Sequence, residues 1–547
     1  MKKSILAFAC ISAVAPSVFA QSVVDALQVS QSDFKGTARY MSMGGAFTAL
    51  GGDLSAIGLN PGGIGVYRRS EIGATLDIDM QKSKGVTQGV TAKNTQTKAY
   101  CNNFGYIGSV LLNGALKNFN WGVTYNRLAS FDRVTGGYAP SAGTSLTNYV
   151  AAFTNGIPGK DMDFTDSYNP YGSGIDWLSI LSYSSFMINP TGPDSYQGLY
   201  FPAADGYPET TSDSEIYVHE KGHVDNYEFT FGGNFSDIIY WGLGIGINDL
   251  RYVREVSYSE SMENAEVYDP DTKGTANGAA GYYLDNYKEI TGTGYNFSFG
   301  IIAKPIQELR IGASIMTPTW YTFDHSYQGR TSFTYTPDYD VNARTEGNDY
   351  SDNAYFNWKL KSPWRFNVGV AAVIGSSAIV SVDYERKAYN DMSVKYGDYD
   401  NYGYLMGYTD AQPVNQELKT ISQGSNTIRV GAEYRITPQL SVRAGYNVET
   451  SNIKNAYKDG YKEISTSGTD PSFSLDKTTQ YVSVGLGYRF GNWYIDGTYV
   501  HKNRKSNLKP YTSWGGAENL AMALTQSPSF DVTDNNNSLV FSLGFKF

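Results

Sequence analysis

Five consecutive residues, His219-Glu220-Lys221-Gly222-His223, spell the H-E-x-x-H pattern in which two histidines hold zinc and the glutamate acts as base. That chemistry needs a helix, which sets both rings on one face, and a third ligand elsewhere. Here Ile216 and Val218 alternate with polar neighbours, Gly222 weakens any helix, and a strand begins by about Asp225. The pattern reads as coincidence. Asp269-Pro270-Asp271 with Gly274 resembles a calcium loop only faintly, because Pro270 interrupts it and the bidentate glutamate is missing. Asp391, Asp398 and Asp400 read as solvated loop acids that could bridge divalent ions to lipid phosphates. Cys101 stands alone near a strand start, and no glycine-rich phosphate loop sits between a strand and a helix. No catalytic residue, cofactor or metal is expected, and the chain reads as a non-enzyme.

The elements around these residues point to a membrane instead. The chain has 547 residues and a net charge of −10, so it offers no basic surface to neutralise phosphates, and nucleic acid is not expected as a partner. Mean hydropathy is −0.36, and long apolar runs are missing after residue 20, which excludes a helical membrane protein. Residues 1–20 read as a secretory signal peptide. Lys2 and Lys3 are its basic start, Ser4 to Val14 its apolar stretch, and Val18-Phe19-Ala20 its cleavage site before Gln21. Its removal takes Cys10 away and leaves Cys101 alone, so no internal disulfide can form. A closed, fully hydrogen-bonded barrel would supply stability in its place.

From Glu71 onward, apolar and polar residues alternate with period two in run after run. Phe119, Trp121, Val123 and Tyr125 face away from Asn120, Gly122 and Thr124. Trp241, Leu243, Ile245 and Ile247 face away from three glycines, and the last run is Leu539, Phe541, Leu543, Phe545 and Phe547. About fourteen strands result, an even number as bacterial single-chain barrels require. The gaps between runs alternate between short and long, and the longest spans 137–224. Short turns on one side and long loops on the other mark an outer-membrane barrel, with both termini in the periplasm. Tyr67, Trp121, Tyr240, Trp241, Trp320, Tyr321, Trp358, Trp364, Trp493 and Tyr494 lie near run ends, where interfacial aromatic girdles are expected.

Residues 21–70 lack this alternation. Gly36 to Tyr67 is glycine-dense and nearly uncharged, with Met41, Met43, Phe47, Leu50, Ile57 and Leu59 among the glycines. Such a stretch packs tightly in a narrow space, and Asn60-Pro61-Gly62 reads as a tight turn. The expected fold is all-β: a transmembrane antiparallel barrel over 71–547 with residues 21–70 as a plug, or hatch, in its lumen. The motif Gly44-Gly45-Ala46-Phe47-Thr48-Ala49 followed by Asn60-Pro61 resembles the start of the FadL-like outer-membrane channels, with Gly62 in place of that family's alanine. The resemblance implies a fourteen-stranded barrel, a hatch, a hydrophobic pocket above it, and lateral exit of ligand into the bilayer beside a kinked third strand, here about Asn118 to Val134. Gating residues would be Gly44, Gly45, Phe47, Asn60, Pro61 and Gly62, and the exit would lie near Gly136 and Gly137. The family also suggests a monomer.

Three functions follow. The first is passive uptake of hydrophobic small molecules, with fatty acid, aromatic and haem-like ligands all open. The second is a surface adhesin or binding barrel that works through its tyrosine-rich loop. The third is a barrel metalloenzyme using His219 and His223. Outer-membrane lipids, lipopolysaccharide and the barrel-assembly machinery are the expected partners, the last because the chain ends on Phe547.

Overall fold

A computed structural model describes residues 22–203, 209–269, 274–375, 377–400, 402–458, 462, 464–466, 468–512 and 526–547. The expected signal peptide, Gln21 and the pair Pro270-Asp271 lie outside the described residues.

Fourteen wall strands form one closed antiparallel sheet. They are β1 (Glu71–Thr87), β2 (Val90–Leu111), β3 (Leu116–Ser130), β4 (Thr211–Phe235), β5 (Ile239–Asp269) and β6 (Gly274–Ala303). Then come β7 (Leu309–Met316 and Trp320–Pro337), β8 (Ala354–Lys361 and Arg365–Ile374), β9 (Ala378–Lys387) and β10 (Ser425–Arg435). The last are β11 (Leu440–Glu449), β12 (Phe473–Phe490), β13 (Trp493–Lys509) and β14 (Phe530–Lys546). Each strand pairs with its sequence neighbour, and β1 closes the ring on β14, Glu71 opposite Lys546 through Val86 opposite Asp531. Closure leaves no sheet edge to satisfy.

The period-two pattern decides which face is which. Phe229 is 39% exposed and Phe231 43%, while Glu228 and Thr230, on either side of Phe229, are each 1% exposed. Along β14, Leu539, Phe541 and Leu543 are exposed, and Ser538, Val540 and Ser542 are buried. Oily side chains point out and mainly polar ones point in, which inverts the arrangement of a water-soluble sandwich and suits a wall bathed in hydrocarbon.

The strands run farther than the apolar alternation. The first alternating segment ends at Lys82, yet the chain from there to Phe104 is strand around a two-residue turn at Gln88-Gly89, and β5 and β6 extend to Asp269 and from Gly274. Outward positions of β5 change from Trp241, Leu243, Ile245 and Ile247 to Asp249 and Arg251. Above that line the hydrogen-bonded ladder continues, but its outer face meets water, so the pattern that marks a strand in lipid fades. For the same reason the longest segment between wall strands is shorter than 137–224: Arg133–Ala139 and Thr211 onward are strand. Between them, helices α4 (Leu146–Thr154) and α5 (Trp177–Ser184) pack Leu146, Val150, Ile180 and Leu181 onto the buried faces of β5, β6 and β7.

Residues 22–67 carry three short helices, α1 (Val23–Val29), α2 (Ala38–Ser42) and α3 (Ala56–Leu59), and a 3-10 turn, Pro61–Val66. Their side chains are nearly all buried, with Val23, Ala26, Ala38, Met43, Phe47, Ala49, Ile57 and Ile64 at 0% exposure.

Candidate functional site

The N-terminal segment is tied by its own turn and helix hydrogen bonds, and the inward faces of the strands satisfy backbone groups that these leave over. Asn118 and Asn120 of β3 donate to the carbonyls of Gly65, Ile64 and Tyr67. Arg310 and Ser314 of β7 donate to Leu50 and Leu59 at 2.9 and 2.7 Å. Ser483 of β12 and Thr498 of β13 donate to Ser42 and Ala38, and Ser542 of β14 accepts from the Ala38 amide at 2.7 Å.

Glycine on both sides permits this contact. Gly44 and Gly45 have φ of +62° and +77°, and a Cβ on Gly44 would lie 2.7 Å from the Tyr446 carbonyl. Phe47 packs against Tyr40, their ring centroids 5.6 Å apart, under the Arg39 guanidinium. The Asn60 side chain accepts from Gly62 at 2.9 Å and donates to the carbonyls of Thr48 and Ile301 at 2.6 and 3.1 Å. Gly62 does not adopt a positive φ. Its hydrogen faces the Gly300 carbonyl of β6, 2.8 Å from where a Cβ would stand. The tight turn expected among the gating residues is thus clamped against the wall.

Ion pairs add to this. Lys35 reaches Asp77 of β1 at 2.6 Å, Asp33 meets Lys502 of β13 at 2.5 Å, Arg39 meets Glu433 of β10 at 3.0 Å, and Asp25 meets Lys288 of β6 at 2.8 Å. Burial pushes the Asp33 carboxyl up, but Lys502 and Lys35 outweigh it and hold it down at about 2. Burial keeps the Asp53 carboxyl above its usual range, although the Thr37 hydroxyl donates to both its oxygens. None of these charges stood out in the sequence, because each becomes a partner only when the ring closes.

The wall changes at β3. β2 and β3 are hydrogen-bonded only from Asn103 opposite Asn126 to Leu111 opposite Asn118. A bulge between Arg127 and Ala129 then shifts the register against β4, and such a bulge bends a strand. Gly222 of β4 sits at the bend with φ +123°, a Cβ there would meet the Arg251 carbonyl at 1.9 Å, and its own carbonyl accepts from the Phe131 amide. The continuation of β3, Arg133–Ala139, stays paired with β4 but packs over β1 and β2, with single contacts to β14. There a Cβ on Gly136 would lie 3.5 Å from Asn94, the Gly136 carbonyl faces Gly85, and Gly137 faces the Phe530 ring. Side chains bridge the seam left between β2 and β3. Tyr100 donates to Asp132 at 2.9 Å, Lys98 is 3.9 Å from Asp132, and the Arg127 guanidinium lies over the Tyr100 ring.

The H-E-x-x-H residues serve this bend. They lie in β4, where four residues span about 13 Å of extended chain, too far for two histidines to share an ion. Glu220 accepts from Arg133 at 2.6 Å and from Tyr252 at 2.7 Å, anchoring the strand that has left the wall. His219 lies beside Glu255, and His223 beside Asp225 and Asp249.

Two kinds of space lie inside the ring. The apolar faces of α1 and of α6 (Gln412–Ile421) pack with Phe131, Leu250, Ile290, Phe323 and Trp358 into one cluster. Next to it is a cavity of about 130 Å³, bordered by Val29, Leu128, Val224, Tyr321 and Tyr389 on its apolar side and by amides and charged groups elsewhere. The apolar compartment of this cluster is filled by α1, and the open cavity has a mixed lining, because inward positions carry the polar half of each alternating strand while the N-terminal segment adds apolar groups.

No protein-family model matches the sequence, and no curated protein matches it. Among solved structures, a Pseudomonas aeruginosa FadL homologue is similar at 13% identity and a TM-score of 0.51, over 94% of this chain and 99% of that one. Its fold is FadL-like. The P. putida toluene transporter TodX matches at 13% identity and a TM-score of 0.45, covering 94% and 99% of the two chains. The Ralstonia pickettii toluene transporter TbuX matches at 14% and 0.40, over 94% and 99%. In this FadL-like barrel the expected kink falls in β3 at Arg127–Ala129, and the strand resumes at Arg133.

Proposed function

We propose that this chain is an outer-membrane channel for the passive uptake of hydrophobic compounds, with residues 22–67 as its hatch and the β2–β3 seam as its lateral exit. The observation that carries the reading is the seam, where a closed wall gives up its backbone ladder above Asn103 and Asn126 and replaces it with side chains. A ligand that enters the apolar compartment now filled by α1 gains roughly 0.8 kcal/mol per buried methylene. It reaches the bilayer through side-chain rotations at Tyr100, Arg127 and Asp132 without breaking a strand pair. No energy-coupling element is needed, and ligand runs down a gradient of affinity. The FadL and toluene-transporter neighbours agree with this class of cargo.

The test is to seal the seam. In a Cys101→Ser background, Lys98→Cys with Asp132→Cys is joined by a short bis-maleimide. Uptake of a radiolabelled long-chain fatty acid or of toluene into whole cells should fall at least tenfold relative to the uncoupled variant. Unchanged uptake would remove the exit from this place. Uptake abolished by dissipating the proton-motive force would end the passive reading.

A further inference from the structure

Glu228 stands on β4 between Tyr227 and Phe229, two outward side chains of the apolar belt, yet its carboxylate points into the lumen and is 1% exposed. An ionisable group at this depth in a membrane protein is costly and marks a functional place by default. The wall makes room for it. A Cβ on Gly244 would lie 2.1 Å from one Glu228 oxygen, and a Cβ on Gly246 would lie 2.8 Å from the other. Ser298 donates to it at 3.1 Å. Around it runs a ladder of amides on the inward face. Asn103 of β2 donates to Asn126 of β3, Asn226 of β4 to Asn248 of β5, and Asn248 to Asn296 of β6.

Charge compensation separates Glu228 from its surroundings. Every cation that borders the cavity already has a carboxylate: Lys35 has Asp77, Arg127 has Asp225, Lys387 has Glu449, and Arg365 and Arg429 share Glu385. The other two acids on the cavity wall, Asp33 and Glu449, are paired with Lys502 and Lys387. Among the described residues Glu228 has no cation within ion-pair distance, so its carboxylate is the one on the cavity wall without a cation in contact, while Arg365 and Arg429 share a single carboxylate, Glu385. The cavity is also continuous with the apolar cluster, because Val29, Val224, Tyr321 and Tyr389 belong to both.

We propose that this cavity holds the polar head of an amphiphile, that the head is a primary ammonium, and that Glu228 is its counter-ion while the tail lies in the compartment of α1. This rests on the channel reading above and names its cargo more closely. An ammonium offers three donors, one for the carboxylate and the others for the amides of Asn226 and Asn296. The space of about 130 Å³ beside Glu228 admits a head of ethanolamine size.

The full-length protein in detergent is titrated with dodecylamine, dodecanol and dodecanoate, and binding is read by calorimetry at neutral pH. Dodecylamine should bind at least tenfold tighter than the other two. Glu228→Gln, which keeps the shape and the hydrogen bonds, should erase that preference while leaving dodecanol binding unchanged. Ethanolamine, sodium and calcium are titrated as tail-free probes. Equal affinity for the three chains, or a preference that survives Glu228→Gln, overturns the assignment and leaves the channel reading standing. Binding of sodium or calcium with dodecylamine excluded overturns it too, in favour of an inorganic cation. If no chain binds and none is taken up by cells, the channel reading fails as well.

Discussion

Asp25 shows how much rests on single contacts in the lumen. It accepts from Lys288 at 2.8 Å, is 2% exposed, and also closes the capping box at the start of α1 with Ser22. Lys288→Met would leave that carboxylate buried and without its cation, a change that costs roughly 3–5 kcal/mol. The expected outcome is a lower unfolding midpoint in denaturant and new protease cleavage before Gly36. Replacing both partners, Asp25→Asn with Lys288→Met, should recover a large part of the loss. Asp33 gives a pH signature. Its carboxyl is held at about 2 against an ordinary 3.8, so it stabilises the fold above the ordinary value and loses that contribution as pH falls. Stability should drop between about pH 4 and pH 2, and Asp33→Asn should flatten that interval in an acid titration followed by intrinsic fluorescence.

At the scale of elements, the deciding feature is the departure of β3 from β2. The sequence placed a kinked third strand near Asn118 to Val134 by resemblance, and the structure puts its break at Ser130 to Arg133. The bend was not legible in the alternation, because a bulge adds a residue without changing composition. Its sign in the sequence was Gly222, a glycine inside a strand, which was read only as a residue that weakens a helix. The Asn60-Pro61-Gly62 turn teaches the same lesson from the other side. Turn chemistry was readable, but the reason for Gly62 is the backbone of Gly300 across the lumen. Gly62→Ala should therefore overpack that contact, at roughly 1–3 kcal/mol, and raise ion leakage through the protein in planar bilayers. Gly58→Ala, in the same segment with open space around its Cβ position, should do neither.

For the whole molecule, sidedness is the property that can be measured most directly. Trp121 and Trp493 are exposed on the outer wall, while Trp358 is 0% exposed and packs against Phe323 inside the ring. In brominated lipid, Trp121→Phe and Trp493→Phe should each reduce the quenched fraction of fluorescence, whereas Trp358→Phe should reduce only the unquenched one. The sequence by itself determined the strand class, the approximate strand number and the inside-outside polarity. All three follow from a period of two and from turn lengths, which are local quantities. The full reach of the strands above the membrane was decided only by tertiary structure, since pairing there is held by the ladder and no longer by an apolar face. The wall partners of the N-terminal segment, the side chains of the seam and the absence of a cation near Glu228 among the described residues were likewise decided there, because each depends on which residues from distant strands face one another. That relation exists only once Glu71 lies opposite Lys546 and the sheet is closed.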